Sequence, residues 1–496
     1  MKPYTTLRQG MPVLMALLLG LLITSGCVKV GPDYLAPDLS APETWHGKLK
    51  DGLKSEPSDP EIMARWWTTL KDPELNHLMD RAVAGNLSLQ EARARVWESR
   101  AQRGISAADL YPTLDAAGAA TKSKSSKNAG YTGTEENLYQ TGFDAGWEVD
   151  IFGGVARSVE AADADLAASE EDLRDVMVSL LGEVASSYVE VRTYQTRLQA
   201  ALDNLDAQQE TFDLIKSRYT AGLSDELTVQ QARYVLENTR AQIPSLRSGL
   251  DAAKNSLAVL MGETPGAVHT ELEAFAPIPV PPVRIAVGIP ADSLRRRPDI
   301  RKAERTLAAQ SARIGVATAD LYPKLTLAGS IGLESLSTGS FFETGNSKAF
   351  SLGPSISWSI FDAGSIRRNI EVQTAVQEQY LVQYRAAVLS ALQEAQDAME
   401  SYAQEQLRRQ SLTLATQAAR RAVVLAKDKY KAGLVDFSDV LDAQRSLLDY
   451  QDQLAQSEGL VTTNLISLYK AMGGGWESYS LSSTAPQKTT ETVSQH

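Results

Sequence analysis

Residues 139–151 read Tyr139-Gln140-Thr141-Gly142-Phe143-Asp144-Ala145-Gly146-Trp147-Glu148-Val149-Asp150-Ile151. Tyr139, Thr141, Phe143, Ala145, Trp147, Val149 and Ile151 alternate with Gln140, Gly142, Asp144, Gly146, Glu148 and Asp150. Successive side chains of a strand point to opposite faces, so the stretch predicts a strand with one apolar and one acidic face. The device recurs downstream. Phe350, Leu352, Pro354, Ile356, Trp358 and Ile360 alternate with Ser351, Gly353, Ser355, Ser357 and Ser359. Leu325, Leu327, Ile331 and Leu333 alternate with Lys324, Thr326, Ser330 and Glu334. Two readings fit this period: a half-buried strand in a soluble sheet, or a membrane barrel with its apolar face toward lipid and its small polar face toward a wet lumen.

The recurrence has a fixed spacing of 211 residues. Ala108-Asp109-Leu110-Tyr111-Pro112 returns as Ala319-Asp320-Leu321-Tyr322-Pro323, and Tyr219, Gly222 and Leu223 return as Tyr430, Gly433 and Leu434. Trp147 matches Trp358, Glu183 matches Glu394, and Met261-Gly262 matches Met472-Gly473. A period this long predicts a duplicated half-molecule and is too large for a solenoid repeat.

Between the strands the pattern is helical. No proline interrupts Arg157 to Arg218, a run of roughly 90 Å at ~1.5 Å per residue. Val184, Val191, Leu198, Leu205, Phe212 and Tyr219 fall at seven-residue steps, one seam of a coiled coil. After Thr220-Ala221-Gly222 a second helical stretch runs from about Glu226 to Met261. The other half repeats this from Ser365 to Tyr430 and from Ser438 to Met472, with Gly222 and Gly433 as turn residues. Residues 76–110 read as one helix ending at Tyr111-Pro112. Pro265 to Pro290 reads as an extended linker.

Lys2 and Arg8 precede an apolar run, Met11 to Ile23, of signal-peptide length and too short to span a bilayer as a helix. No other apolar run is long enough for a membrane helix, so any entry into a membrane must be by strands in a closed barrel. The formal net charge of −12 argues against nucleic acid as a partner. His46, His77, His269 and His496 lie far apart with no ligand spacing, so no metal site is expected. There is no nucleophile motif and no phosphate loop, which predicts a non-enzyme without a cofactor.

Thr24-Ser25-Gly26-Cys27 resembles a bacterial lipobox, with Cys27, the single cysteine, as the lipidated residue. The alternative is an ordinary secretory signal with a bystander cysteine. Val28 after the cysteine is similar to lipoproteins sorted to the outer membrane. Ser293-Leu294-Arg295-Arg296-Arg297-Pro298-Asp299-Ile300, then Ala303-Glu304, Ile314-Gly315-Val316-Ala317 and Leu321-Tyr322-Pro323-Lys324-Leu325, resembles the most recognisable stretch of the outer membrane factor family. Trp45, Trp66-Trp67, the Tyr-x-Ala-Gly-Leu tips and Leu441-Asp442-Ala443-Gln444-Arg445 add to it. The resemblance covers nearly the whole chain and points to the branch serving resistance-nodulation-division efflux pumps.

That resemblance implies an α+β membrane protein, a homotrimer with a twelve-stranded transmembrane β-barrel, four strands per chain, continuous with a periplasmic α-helical coiled-coil barrel. The implied function is a passive outer membrane exit channel, working with a periplasmic adaptor protein and an inner membrane pump. A type I secretion channel and a non-porous, lipid-anchored periplasmic scaffold are the alternatives. The expected organisation is a signal peptide at 1–26, a lipid-anchored tether at 27–75, a first repeat at 76–262, a Pro-rich linker at 263–286, a second repeat at 287–473 and a disordered tail at 474–496. Tyr219, Gly222, Leu223, Tyr430, Gly433 and Leu434 are the expected adaptor-docking tips. Asp436 and Asp439 are candidate gate carboxylates, with helix capping as the competing role. For Asp225 and Glu226 capping is the favoured role, and Arg296-Arg297-Pro298-Asp299 is read as structural.

Overall fold

The computed structural model describes residues 29–38, 41–46, 49, 52–57, 59–131, 133–282 and 285–479. The leader, Cys27 and residues 480–496 therefore lie outside the described residues. In chain order the elements are β1 (Leu53–Lys54), α1 (Pro60–Ala64), α2 (Pro73–Gly85), α3 (Leu87–Ala108), β2 (Thr113–Lys124), β3 (Glu135–Val149), α4 (Gly154–Thr220), α5 (Glu226–Leu260), β4 (Ile285–Ala286), α6 (Pro290–Arg296), α7 (Pro298–Ala319), β5 (Lys324–Ser335), β6 (Lys348–Ser357), α8 (Ser365–Lys431) and α9 (Phe437–Ala471). The bounds of α3, β2, α4 and α5 return in α7, β5, α8 and α9 at the same 211-residue spacing.

The chain divides into two compact units. One takes the chain through Pro37, Trp97–Ala168 and Ala303–Tyr384; the other takes Asp38–Val96, Ser169–Lys302 and the chain from Arg385 on. In the first, β2, β3, β5 and β6 form an antiparallel sheet in that order, so β2 and β6 are its edges. The sheet is open: among the described residues neither edge has a further partner. β2 lacked a clear signal in the sequence because Ala116, Ala117, Gly118, Ala119 and Ala120 do not distinguish one face from the other. β6 ends at Ser357, short of the expected Trp358 and Ile360. The Trp358 indole donates to Leu321 O at 3.0 Å, and the Trp147 indole donates to Leu110 O at the same distance. Each tryptophan thus marks a strand end.

Residues 29–33 dock on this unit. Val30 N donates to Phe152 O, and the buried Arg157 guanidinium donates to Val30 O, Gly31 O and Asp33 Oδ1.

The second unit is helical. Phe212 and Ile215 of α4, Ala232, Val235 and Leu236 of α5, and Phe437, Val440 and Leu441 of α9 form one buried cluster. Of the heptad seam, Val184, Val191 and Phe212 are buried, Leu198 and Leu205 are half-buried, and Tyr219 is exposed. Trp45, Trp66 and Trp67 are buried, and Trp66 stacks on Tyr469 with ring centroids 5.4 Å apart.

Three expectations are corrected here. The single helix at 76–110 is two, α2 and α3, broken at Asn86, whose side chain accepts from Leu89 N and donates to Leu260 O. Gly85 is required at this joint, because a Cβ there would lie 2.2 Å from Met261 O. The linker is not extended from its start: residues 264–273 wind into successive turns that bury Val268 and Leu272. Residues 474–479, read as the start of a disordered tail, include a 3-10 turn at Trp476–Ser478, with Tyr479 stacked on Trp67.

The Arg-Arg-Pro-Asp motif also finds its structural role. Pro298 opens α7, and the buried Arg297 forms a fork onto Asp299 while reaching Glu394 of α8 and Ala471 O of α9. The sequence reading found Pro298 and Asp299 as helix-start signals and missed the arginine that joins three helices.

Candidate functional site

Directly paired residues of an antiparallel sheet share a face, so the register sorts the strand residues. Ala116, Phe143, Ile331 and Phe350 form one row, and Leu114, Ala145, Gly329 and Leu352 form another on the same side. Trp147, Leu327 and Pro354 continue that side toward the strand ends. On the other side, Asp115, Asp144, Ser330 and Ser351 share a row, and Glu148, Thr326 and Ser355 share another. Gln140 Nε2 donates to Glu334 Oε1 at 2.8 Å, and the Ser330 and Ser351 hydroxyls lie 2.8 Å apart. A groove of ≈ 450 Å³ at the strand bases is lined by Asp109, Glu148, Asp150, Asp320 and Lys324.

The apolar side is bare. Phe350 is 83% exposed, Leu352 78% and Ile356 73%. A contiguous apolar face of this kind needs lipid or protein against it. The half-buried reading of the sheet fails on this point, since none of the described residues covers the face.

The two helical turns are built alike and used differently. Gly222 and Gly433 have φ of +74° and +76°, the left-handed conformation that glycine adopts without strain. Leu223 N returns to Arg218 O and Leu434 N to Lys429 O, closing each helix end. Leu223 and Leu434 project into solvent at 69% and 72% exposure, and Tyr219 is exposed as well. Tyr430 differs from its counterpart: it packs on Phe437 at 5.3 Å and lies under the Arg218 guanidinium.

The carboxylates divide in the same way. Asp225 caps α5, accepting from Thr228 N at 2.7 Å and Thr228 Oγ1 at 2.8 Å, and these bonds hold its carboxyl below the usual range. Asp436 occupies the matching position before α9, but its carboxylate makes no capping hydrogen bond. Asp439 lies in the first turn of α9 and not at the cap, and both carboxylates are exposed.

A further cluster was invisible in the sequence. Glu74 and His77 on α2 meet Glu271 from the wound segment after α5, and a ligand atom from each lies within 4.8 Å of the others. Arg81 stands beside them, bound to Glu271 Oε2 at 2.6 Å and to Glu263 at 2.7 Å. Burial, then contact with Glu271, raises the Glu74 carboxyl above its usual range. Burial pushes Glu271 upward too, but hydrogen bonds led by Arg81 leave it lowered. Glu271 is far from Glu74 in sequence, so no local spacing could have shown the group.

Comparison with known proteins adds the following. The family model described as outer membrane efflux protein matches residues 78–263 and 289–474. Nodulation protein T of Rhizobium leguminosarum bv. trifolii is 32% identical over 88% of this chain and 92% of its own length. The pyoverdine export outer membrane protein OpmQ of Pseudomonas aeruginosa is 33% identical over 92% of this chain and 97% of its own length. Among solved structures, the outer-membrane channel OprN matches with a TM-score of 0.85 at 35% identity, over 90% of this chain and 100% of that one.

Proposed function

Because this chain belongs to the outer membrane efflux protein family, we propose that three copies close its sheet into a twelve-stranded barrel that passively conducts cargo out of the cell. The protein is an outer membrane efflux channel that extends into the periplasm. The observation that carries the trimer is the open four-stranded sheet, with a bare apolar face, a polar face and two edges that lack a partner among the described residues. Unpaired backbone groups in lipid cost several kcal/mol each, and for strands only a closed barrel removes them. Four strands are too few to close around a pore, so the edges of neighbouring copies must meet. The polar rows through Asp115 and Asp144 then line the lumen.

The rest of the proposal follows from that closure. The helical unit forms the periplasmic duct, and the tips at Leu223 and Leu434 dock an adaptor protein that links the channel to an inner membrane pump. The pump supplies the energy, and the channel performs no catalysis. Asp436 and Asp439 gate the periplasmic end; the absence of a capping bond at Asp436 and the exposure of both groups support this. Cys27 carries the lipid, and acyl groups on the N-terminal peptide in mass spectrometry are the expected result. The deciding experiment is planar-bilayer conductance of the purified protein with its mass measured in detergent. A conducting trimer is expected; a monomer that inserts without conducting would refute the proposal.

A further inference from the structure

The cluster around Glu74 has a charge and geometry that an efflux duct does not require. Glu74 and His77 are separated by one helical turn of α2, so both project from one face of it. The flanking face, through Leu75, Leu78 and Met79, is buried and fixes the helix. Glu271 is held between turns anchored by the buried Val268 and Leu272. His77 Nδ1 lies 3.2 Å from Glu271 Oε1. Glu74 Oε1 is buried from solvent and has no hydrogen-bond partner.

Two facts call for a cation. An acceptor buried without a donor is costly, and Glu74 Oε1 is one. The local charge is also unbalanced. Glu74, Glu263 and Glu271 bring three carboxylates beside Arg81, which is shared by Glu263 and Glu271, and Arg192 is the further cation acting on Glu74. The carboxylates still outnumber the guanidinium groups, and a bound cation would offset the excess. Arg81 meanwhile holds Glu271 from behind, the outer-partner arrangement that orients ligands at metal sites.

We propose that Glu74, His77 and Glu271 form a binding site for a divalent transition-metal cation of the zinc class, which ties α2 to the wound segment 264–273. One imidazole and two carboxylates suit zinc-like ions, whereas magnesium and calcium take all-oxygen sets. Three protein ligands leave a fourth tetrahedral position to water. The ion braces the joint between the first helices and the linker, and the proposal is independent of channel conduction.

The test uses the full-length protein in detergent, stripped of metal with a chelator, and Zn²⁺ as the probe. Calorimetry should show one Zn²⁺ per chain, and saturation should raise the melting temperature. Magnesium should not displace it. His77→Ala removes an exposed side chain and should weaken binding by about tenfold or more, since losing even an outer partner typically costs about 10–100-fold. Glu271→Gln keeps the shape and should also weaken binding, and a melt of each metal-free variant shows that it is folded. His46→Ala, at an exposed histidine elsewhere, should bind as the parent does. Cobalt(II) should give visible absorption bands of nitrogen and oxygen ligation that disappear in His77→Ala. No saturable Zn²⁺ binding would overturn the proposal and leave a carboxylate pair sharing a proton. Binding unchanged in His77→Ala, or equally strong for Mg²⁺, would overturn it too.

Discussion

Leu352→Arg tests the assigned facing of the sheet most directly. Leu352 sits near the centre of β6, on the bare apolar side, in the row with Gly329 and Ala145. An arginine at the bilayer midplane on a barrel's lipid face is destabilising by ~2–4 kcal/mol, falling to ~0–1 near the interface. Ile356 lies on the same face four residues further along. At ~3.4 Å per residue that is about 14 Å along the strand, or about 10 Å of depth at a tilt of ~40°. The apolar band is only about 25 Å tall, so Ile356→Arg falls near its edge and should lose ~1 kcal/mol or less. Ser351→Arg points to the polar side and should be close to neutral. The assay is urea unfolding of protein reconstituted in vesicles, with trimer survival on gels as a second readout. The expected order of damage is Leu352, then Ile356, then Ser351. Equal damage at Leu352 and Ser351 would refute the facing, and damage at Ile356 matching Leu352 would refute the depth.

Other perturbations address the helical unit. Arg297→Ala strands Asp299, Glu394 and Ala471 O together; with Glu394 more than half exposed, the loss should be about 2–4 kcal/mol, below a fully buried pair, read by thermal melting. Gly433→Val has open space around it but forces a branched residue to positive φ, costing ~1–2 kcal/mol; amide exchange should rise at residues 429–437, and adaptor binding should weaken. The Asp225 carboxyl is lowered by its hydrogen bonds from Thr228. Its stabilisation is therefore present above the unfolded value near ~3.9 and is lost as pH falls through the folded value. The protection of amides in the first turn of α5, after correction for the intrinsic slowing of exchange in acid, should fall on acidification in the parent and not in Asp225→Asn. Asp436→Ala with Asp439→Ala should raise resting conductance and weaken divalent block; unchanged conductance with lower thermal stability would make them structural.

Much of this architecture was legible locally. The period-two stretches at 139–151 and 350–360 identified two strands and their faces, although the strands end earlier, at Val149 and Ser357, because side-chain direction in a strand depends only on the residue's own place in the pleat. The 211-residue spacing anticipated the bounds of α3, β2, α4 and α5, which recur to the residue, and Gly222 and Gly433 marked turns, because a positive φ is a demand on one residue alone. Breaks imposed by neighbours were not legible. Asn86 divides a helical run because Met261 and Leu260 press against that joint.

The functional chemistry divides along the same line. Asp225 and Asp436 look alike in sequence, each three residues beyond a turn glycine, yet only one carboxylate makes a capping hydrogen bond. Tyr219 and Tyr430 are matched by the repeat, and only packing turns one outward and the other onto Phe437. Glu74, His77 and Glu271 became a group only when the wound segment folded back onto α2. Periodicity and single-residue conformational demands are carried by the chain itself. A hydrogen-bond partner, a burial or a cluster of ligands depends on atoms far away in sequence, and only the tertiary structure brings them within reach.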